Sequence, residues 1–318
     1  MFDLAKMLLS AAKFTALLIV LNTAAFAVDF DGDAKADFAL FRPSNGVWYL
    51  QSDYGKGAFS AFAWGMSTDV LVPADYDGDG KTDAAVWRPT NGTWYIRKSS
   101  NNEFFCIRWG VTTIHPTGGL PDVPVPADFD GDGIADLGVW RPDTGEWFIL
   151  SSAAGFRGDK PIVKTWGKLG DVPVEADYDG DGKADFAVFR AAEDRWYILN
   201  SKTGNWFVRE FGRGGDLLVP ADYTGDGRAD LAVYRGDTWY VLNSTNGEME
   251  PFKMGLAGAV PVPADYDGDR ETDFALFQNG SWYVQESRTG ALRSFNFGRT
   301  NDFPLNAVGA RKSIVAVP

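Results

Sequence analysis

Only one cysteine, Cys106, and one histidine, His115, occur in these 318 residues. A lone cysteine excludes any disulfide within the chain, so stability has to come from packing and from bound groups. A lone histidine excludes a zinc site built on histidines and leaves His115 as the sole base for a histidine-dependent hydrolase, and no nucleophile elbow accompanies it. Basic residues are the minority, 30 Lys and Arg against 43 Asp and Glu, giving a formal charge of −13. No basic face is evident, which argues against DNA or RNA as a partner. After residue 27 no apolar run is long enough to span a bilayer, and no amphipathic helical stretch of useful length occurs.

The one apolar run, Phe14 to Leu21, follows Lys6 and Lys13 and precedes Ala25-Phe26-Ala27. That is the pattern of a signal peptide with an A-x-A cleavage site. Residues 1–27 are therefore expected to direct export and be removed, leaving 28–318 as one domain that is secreted, periplasmic or on the cell surface, with no membrane span and as a monomer.

What the chain has in abundance is a repeated acidic loop. Asp75-Tyr76-Asp77-Gly78-Asp79-Gly80-Lys81-Thr82-Asp83 recurs in recognisable form with starts at Asp29, Asp128, Asp177, Asp222 and Asp265, at steps of 46, 53, 49, 45 and 43 residues. A period of this size marks a propeller blade or a similar array. Around each loop lie short runs rich in β-branched and aromatic residues, broken by Pro and Asn-Gly, such as Ala84-Ala85-Val86-Trp87-Arg88 and Thr93-Trp94-Tyr95-Ile96-Arg97. They read as four strands per unit joined by antiparallel hairpins. The fold class is all-β, with blades at about 28–65 plus 301–308, 69–110, 122–167, 171–212, 216–255 and 259–298.

Two further patterns bear on closure and packing. Arg42, Arg88, Arg141, Arg190 and Arg235 end the second strand of their units, and Asp69, Asp122, Asp171 and Asp216 open the first, while the sixth unit has Gln278 and Ala259 at these places. One Arg–Asp bridge per blade explains their joint loss. Asn301-Asp302-Phe303-Pro304-Leu305-Asn306-Ala307 aligns with Thr68-Asp69-Val70-Leu71-Val72-Pro73-Ala74, so the end of the chain is expected to complete the first blade and close six blades rather than seven. The pairs Trp48-Tyr49, Trp94-Tyr95, Trp147-Phe148, Trp196-Tyr197, Trp239-Tyr240 and Trp282-Tyr283 read either as filler between blades or as stacking platforms for sugars. Cys106, within Phe104-Phe105-Cys106-Ile107, reads as a small buried hydrophobe.

The acidic loops carry most of the charge, and a divalent ion in each would cancel most of it. Carboxylates at positions 1, 3, 5 and 9 of a tight loop suit calcium, which takes six to eight hard oxygen ligands. Candidate ligands are Asp29, Asp31, Asp33 and Asp37 in the first loop, Asp75, Asp77, Asp79 and Asp83 in the second, and Asp128, Asp130, Asp132 and Asp136 in the third. Asp177, Asp179, Asp181 and Asp185 follow in the fourth, Asp222, Asp226 and Asp230 in the fifth, and Asp265, Asp267, Asp269 and Asp273 in the sixth. Up to six Ca2+ are expected. The loops starting at Asp75, Asp128 and Asp177 are complete, whereas Thr224 replaces a carboxylate in the fifth and Ala34 and Arg270 replace a position-6 glycine in the first and sixth. An EF-hand would place an acid at position 12, where this chain has Leu40, Val86, Val139, Val188, Val233 and Leu276. The ions are expected to be structural.

With units such as Ala127-Asp128-Phe129-Asp130-Gly131-Asp132-Gly133-Ile134-Ala135-Asp136 followed by Leu137-Gly138-Val139-Trp140-Arg141-Pro142, the chain resembles FG-GAP/VCBS-type repeats, the group that includes the calcium-binding blades of integrin alpha-subunit propellers. The resemblance covers almost all of residues 28–318. It implies a calcium-binding loop between the first two strands of each blade, and a secreted or surface protein used in adhesion or carbohydrate recognition, with an extracellular glycan or surface protein as partner. Integrin-like propellers commonly have seven blades, against six copies here. The alternatives are a calcium-stabilised polysaccharide lyase and a structural module of a surface assembly. The long connection Val111 to Pro121, which carries His115, is the first candidate for recognition, and Ser151 to Lys160 is a second long loop expected on the calcium face.

Overall fold

The computed structural model describes residues 28–112 and 119–305, so the leader at 1–27, most of the His115 connection, and Asn306 with Ala307 lie outside the described residues. The sequence periods become six four-stranded antiparallel sheets. Blade 1 contains β1 (Phe38–Arg42), β2 (Val47–Gln51) and β3 (Phe59–Ala63), and blade 2 contains β4 (Val70–Leu71), β5 (Ala84–Arg88), β6 (Thr93–Arg97) and β7 (Phe104–Arg108). Blade 3 follows with β8 (Val123–Pro124), β9 (Leu137–Arg141), β10 (Glu146–Leu150) and β11 (Ile162–Thr165), and blade 4 with β12 (Asp171–Pro173), β13 (Phe186–Arg190), β14 (Arg195–Leu199) and β15 (Trp206–Glu210). Blade 5 comprises β16 (Leu217–Leu218), β17 (Leu231–Arg235), β18 (Thr238–Leu242) and β19 (Met249–Lys253), and blade 6 comprises β20 (Val260–Pro261), β21 (Phe274–Gln278), β22 (Ser281–Gln285) and β23 (Leu292–Asn296).

Closure follows the expected route. The last described strand, β24 (Phe303–Pro304), pairs antiparallel with β1, placing Leu40 opposite Pro304 and Phe41 opposite Phe303. Leu305 then donates its N–H to the Ala39 carbonyl at 2.8 Å and is fully buried. Inner strands are only two or three residues long, shorter than the Val70–Ala74 run suggests, because each contains or precedes a proline. An innermost strand pairs on one side only, so a residue with no N–H is tolerated there. Pairing resumes past the proline as a single bridge, for example Ala74 to Asp83.

The core lies between blades. Trp48, Trp94, Trp147, Trp196, Trp239 and Trp282 are fully buried on third strands, and each indole N–H donates to a backbone carbonyl just beyond its own outer strand, such as Trp94 to Trp109 at 3.1 Å and Trp282 to Phe297 at 2.9 Å. Their neighbours differ from simple filler. Tyr49, Tyr95, Phe148, Tyr197 and Tyr240 are half-buried, and each lies under the guanidinium of Arg42, Arg88, Arg141, Arg190 or Arg235, at 4.1 to 4.9 Å from ring centroid to Cζ. Cation–π attraction therefore covers what the alternation of the strand would leave open.

The same arginines make the expected bridges. Nε and Nη2 of Arg88 donate to the two oxygens of Asp69 at 2.8 Å each, and Arg141–Asp122, Arg190–Asp171 and Arg235–Asp216 repeat the bidentate geometry. In blade 1, Arg42 reaches Asp302 at 2.7 Å across 260 residues of sequence. Each aspartate is buried and also accepts an N–H from the turn before it, from Met66, Val111, Lys168, Arg213 or Arg299. In blade 6, Gln278 donates instead to the Ala257 carbonyl.

Cys106 is exposed, not buried. Outer strands pack on one side only, and β7 alternates exposed and half-buried residues with Cys106 on the open side.

Candidate metal centre

Every acidic loop is a tight turn that its own first aspartate organises. In all six copies one carboxylate oxygen of position 1 accepts the N–H of position 4, and the other accepts the N–H of position 6, as in Asp75 to Gly78 at 2.7 Å and to Gly80 at 2.8 Å. The turn needs left-handed backbone at positions 4 and 6. Glycine supplies it at Gly78 and Gly80 (φ 78° and 81°), whereas Ala34 and Arg270 adopt φ 64° and 74° despite their side chains.

Such a conformation costs an L-residue roughly 1–2 kcal/mol, partly offset by the greater unfolded-state freedom of glycine. Ala34→Gly and Arg270→Gly are each expected to stabilise the chain by about 1 kcal/mol. Gly80→Ala should cost a similar amount from backbone strain alone, since a Cβ there meets nothing within 4 Å. Denaturant midpoints check all three, and unchanged values for the two glycine variants would show that the strain is absent.

Position 9 clamps the loop to the rest of the blade. One oxygen of Asp83, Asp136, Asp185, Asp230 and Asp273 accepts the N–H of position 2, and the other accepts the N–H of Ser99, Ser152, Ser201, Ser244 or Ser287 in the hairpin between the third and outer strands. The hydroxyls of these serines bond to position 5, at Asp79, Asp132, Asp181, Asp226 and Asp269. These serines were missed in the sequence. Burial pushes the position-9 carboxyls upward, to about 7 for Asp37 and Asp136 and about 6 for Asp83, Asp185 and Asp273.

Adjacent loops are also tied to one another. The N–H of position 8 donates to the position-1 carbonyl of the preceding loop, from Thr82 to Asp29, Ala135 to Asp75, Ala184 to Asp128, Ala229 to Asp177 and Thr272 to Asp222, at 2.6 to 2.7 Å. Ala36 to Asp265 at 2.7 Å closes the circle. The side chain at position 7 lies over the position-4 glycine of the preceding loop, where a Cβ on Gly131 would sit 2.7 Å from Lys183 Cε.

Carboxylates converge within ligand distance of one another in five loops. Asp75, Asp77 and Asp83 gather, as do Asp128, Asp130 and Asp136, and Asp177, Asp179 and Asp185. In the first and sixth loops the gathered set is instead Asp29, Asp31 and Asp33, and Asp265, Asp267 and Asp269. So Asp79, Asp132 and Asp181, expected as ligands, turn to serine hydroxyls, and Asp37 and Asp273 stand outside their loops' clusters. Asp222, Asp226 and Asp230 form no such cluster among the described residues, consistent with Thr224 in place of the position-3 carboxylate that gathers with positions 1 and 9 in the complete loops.

The donor set fits a hard cation. At position 3, one oxygen of Asp77, Asp179 and Asp267 is buried without a hydrogen-bond partner, and so is the Thr224 hydroxyl. Buried polar atoms are rarely left unpaired, and a carboxylate oxygen close to two others is relieved by a cation between them or by a shared proton. Calcium accepts this all-oxygen environment, and its bound charge would offset the repulsion among the gathered carboxylates.

A family model described as FG-GAP-like repeat matches residues 29–86, 75–139 and 177–233. Among solved structures, an Agrocybe aegerita lectin that recognises non-reducing terminal N-acetylglucosamine is 18% identical, with 88% of this chain and 79% of that chain covered and a TM-score of 0.56. BBS1N in complex with ARL6DN is 13% identical, covering 87% and 84% at a TM-score of 0.51. A streptogramin B lyase is 9% identical, covering 89% and 87% at 0.48. At these identities the likeness is one of fold. No curated protein sequence matches.

Proposed function

This chain belongs to the FG-GAP-like repeat family, and from that premise we propose that it is an exported, calcium-loaded propeller that binds carbohydrate without transforming it. Calcium would be held by the loop carboxylates, Asp75, Asp77 and Asp83 and their counterparts, and would supply charge neutralisation and rigidity rather than chemistry. No helix among the described residues is long and apolar enough to cross a membrane.

The observation that carries the carbohydrate reading is a set of exposed aromatic rings at blade boundaries, each against a half-buried ring of the neighbouring blade. Phe104, 68% exposed, lies 6.1 Å from Trp64 of blade 1, and Trp206, 63% exposed, lies 6.4 Å from Trp166 of blade 3. Phe59 stands in the same way against Phe297 of blade 6. Large rings held open to solvent by a rigid sheet suit the apolar faces of sugar rings. The fungal lectin with the same fold lends support, because its propeller recognises a sugar.

The calcium-loaded chain is expected to be retained on one or more immobilised polysaccharides and to leave them intact. Trp206→Ala and Phe104→Ala should weaken retention about tenfold with little change in melting temperature. Unsaturated sugar ends appearing with time would replace this reading with a lyase. Capture of a protein partner with no glycan retained would make the chain a structural module.

A further inference from the structure

Six blades make six boundaries on the acidic-loop face, and the chain fills them differently. Between blades 2 and 3, Phe156 from the long hairpin 151–160 stacks on Phe105 at 5.9 Å. Between blades 6 and 1, Tyr54 fills the space against Phe38 and Phe295. Both plugs sit at left-handed backbone, φ 56° and 51°, which a non-glycine residue adopts only under constraint. Between blades 5 and 6, Phe252 stacks on Phe274 at 4.6 Å.

The boundary between blades 4 and 5 is open instead, as a cavity of about 660 Å³. Its wall carries Lys202 from the blade 4 hairpin, Arg209 from β15 and Arg228 from the fifth acidic loop, with Asn200 and Phe207 beside them. In a chain of formal charge −13 this is a local excess of cations, and none of the three forms an ion pair among the described residues. Asp179 is the one carboxylate lining this cavity, and it belongs to the candidate calcium cluster of the fourth loop. A smaller cavity of about 400 Å³ opens at the matching boundary of blades 1 and 2, lined by Arg97 and Lys98 together with Asp31 and Asp37.

We infer that the cavity between blades 4 and 5 is a binding site for the anionic groups of an acidic polysaccharide, carboxylate or sulfate. Guanidinium and ammonium groups that line one recess without forming an ion pair can pair with such groups through charge-assisted hydrogen bonds, even with Asp179 beside them. Phe207 offers an apolar wall for a sugar ring, and Asn200 a polar contact to its hydroxyls. Calcium in the fourth loop would neutralise Asp179 and so favour the anion. The inference rests on the carbohydrate reading above and narrows it to acidic sugars at one boundary.

The test compares hyaluronate and dextran sulfate with dextran and methyl-esterified hyaluronate, by titration calorimetry in millimolar calcium. The two anionic polymers are expected to bind, with the stronger of them showing whether carboxylate or sulfate is preferred, and the neutral ones are not. Lys202→Gln with Arg209→Gln should weaken binding at least tenfold at unchanged melting temperature, and Arg209→Lys should retain most of it. Both side chains lie outside the calcium clusters, and Lys202 bonds Asp179 through its backbone only. Equal binding of neutral and anionic polymers, or full binding by the double variant, would overturn the site while leaving the carbohydrate reading in place. Binding of none of the four, alongside retention of some other neutral glycan, would likewise overturn this inference alone. Absence of any glycan retention would remove both.

Discussion

Arg42→Ala is expected to lower the stability of the whole propeller by about 3–5 kcal/mol, a large part of what an ordinary domain possesses. The change leaves the Asp302 carboxylate, whose side chain is 2% exposed, with only the Arg299 N–H for company, because it otherwise depends on both guanidinium contacts. It also uncovers the ring of Tyr49. The exposed pair Arg157–Asp159 provides the contrast, with both side chains more than half exposed and an expected cost below about 1 kcal/mol on removal. Leu305→Ala, at a fully buried position beside β1, should add roughly 2–5 kcal/mol of its own. Urea denaturation of the variants measures these values. A cost for Arg42→Ala as small as that for Arg157→Ala would mean that the β24 closure does not hold the ring.

Chelation is expected to have the other large effect. At about 1 mM calcium, a loop with a dissociation constant of roughly 10⁻⁴ M gains about 1.4 kcal/mol by linkage, so five loops together would be worth roughly 7 kcal/mol. Thermal melts with calcium, magnesium and chelator, with bound ions counted by mass spectrometry, read this directly. Asp77→Ala should lower the melting temperature in calcium far more than in chelator, since Asp77 belongs to the gathered cation cluster. A melting temperature that is the same with calcium and with chelator would remove the ions from the account of stability.

The pH dependence separates the two states. In chelator the position-9 carboxyls of Asp37, Asp83, Asp136, Asp185 and Asp273 are held by burial at about 6 to 7, above the ordinary 3.8. Between about pH 4 and 7 the native state therefore binds more protons than the unfolded chain, and stability falls as pH rises through that window. Calcium needs the deprotonated carboxylates, so its stabilising effect should grow over the same range. The difference between the two melting curves is expected to widen steadily from pH 4 to 7.

Much of this architecture was legible because identical problems recur around the ring and receive identical residues. The paired loss of Arg and Asp from the sixth unit, together with Asp302 near the end, was enough to place β24 beside β1. Other features leave weaker traces. The serine clamp is hard to see because hairpin length moves it, with Ser99 lying sixteen residues after Asp83 and Ser244 only fourteen after Asp230. Backbone bonds between loops, such as Thr82 to Asp29, have no side-chain signature at all. Cys106 was misread because an apolar run on an outer strand looks the same as one on an inner strand. The plugs Tyr54 and Phe156 come from hairpins that match no other copy.

The seam also dictates an order of events during synthesis. β1 emerges from the ribosome early, yet its inner neighbour lies some 260 residues later. Until then the first blade presents an unsatisfied strand edge, the kind of surface that recruits other chains. Closing so long a loop from a random coil is slow, but once blades 2 to 6 have stacked into an arc, the two ends are brought within a blade's width and little entropy remains to be lost. The vulnerable species is therefore the nearly complete arc, and a slow final phase sensitive to Arg42 and Asp302 is its kinetic signature.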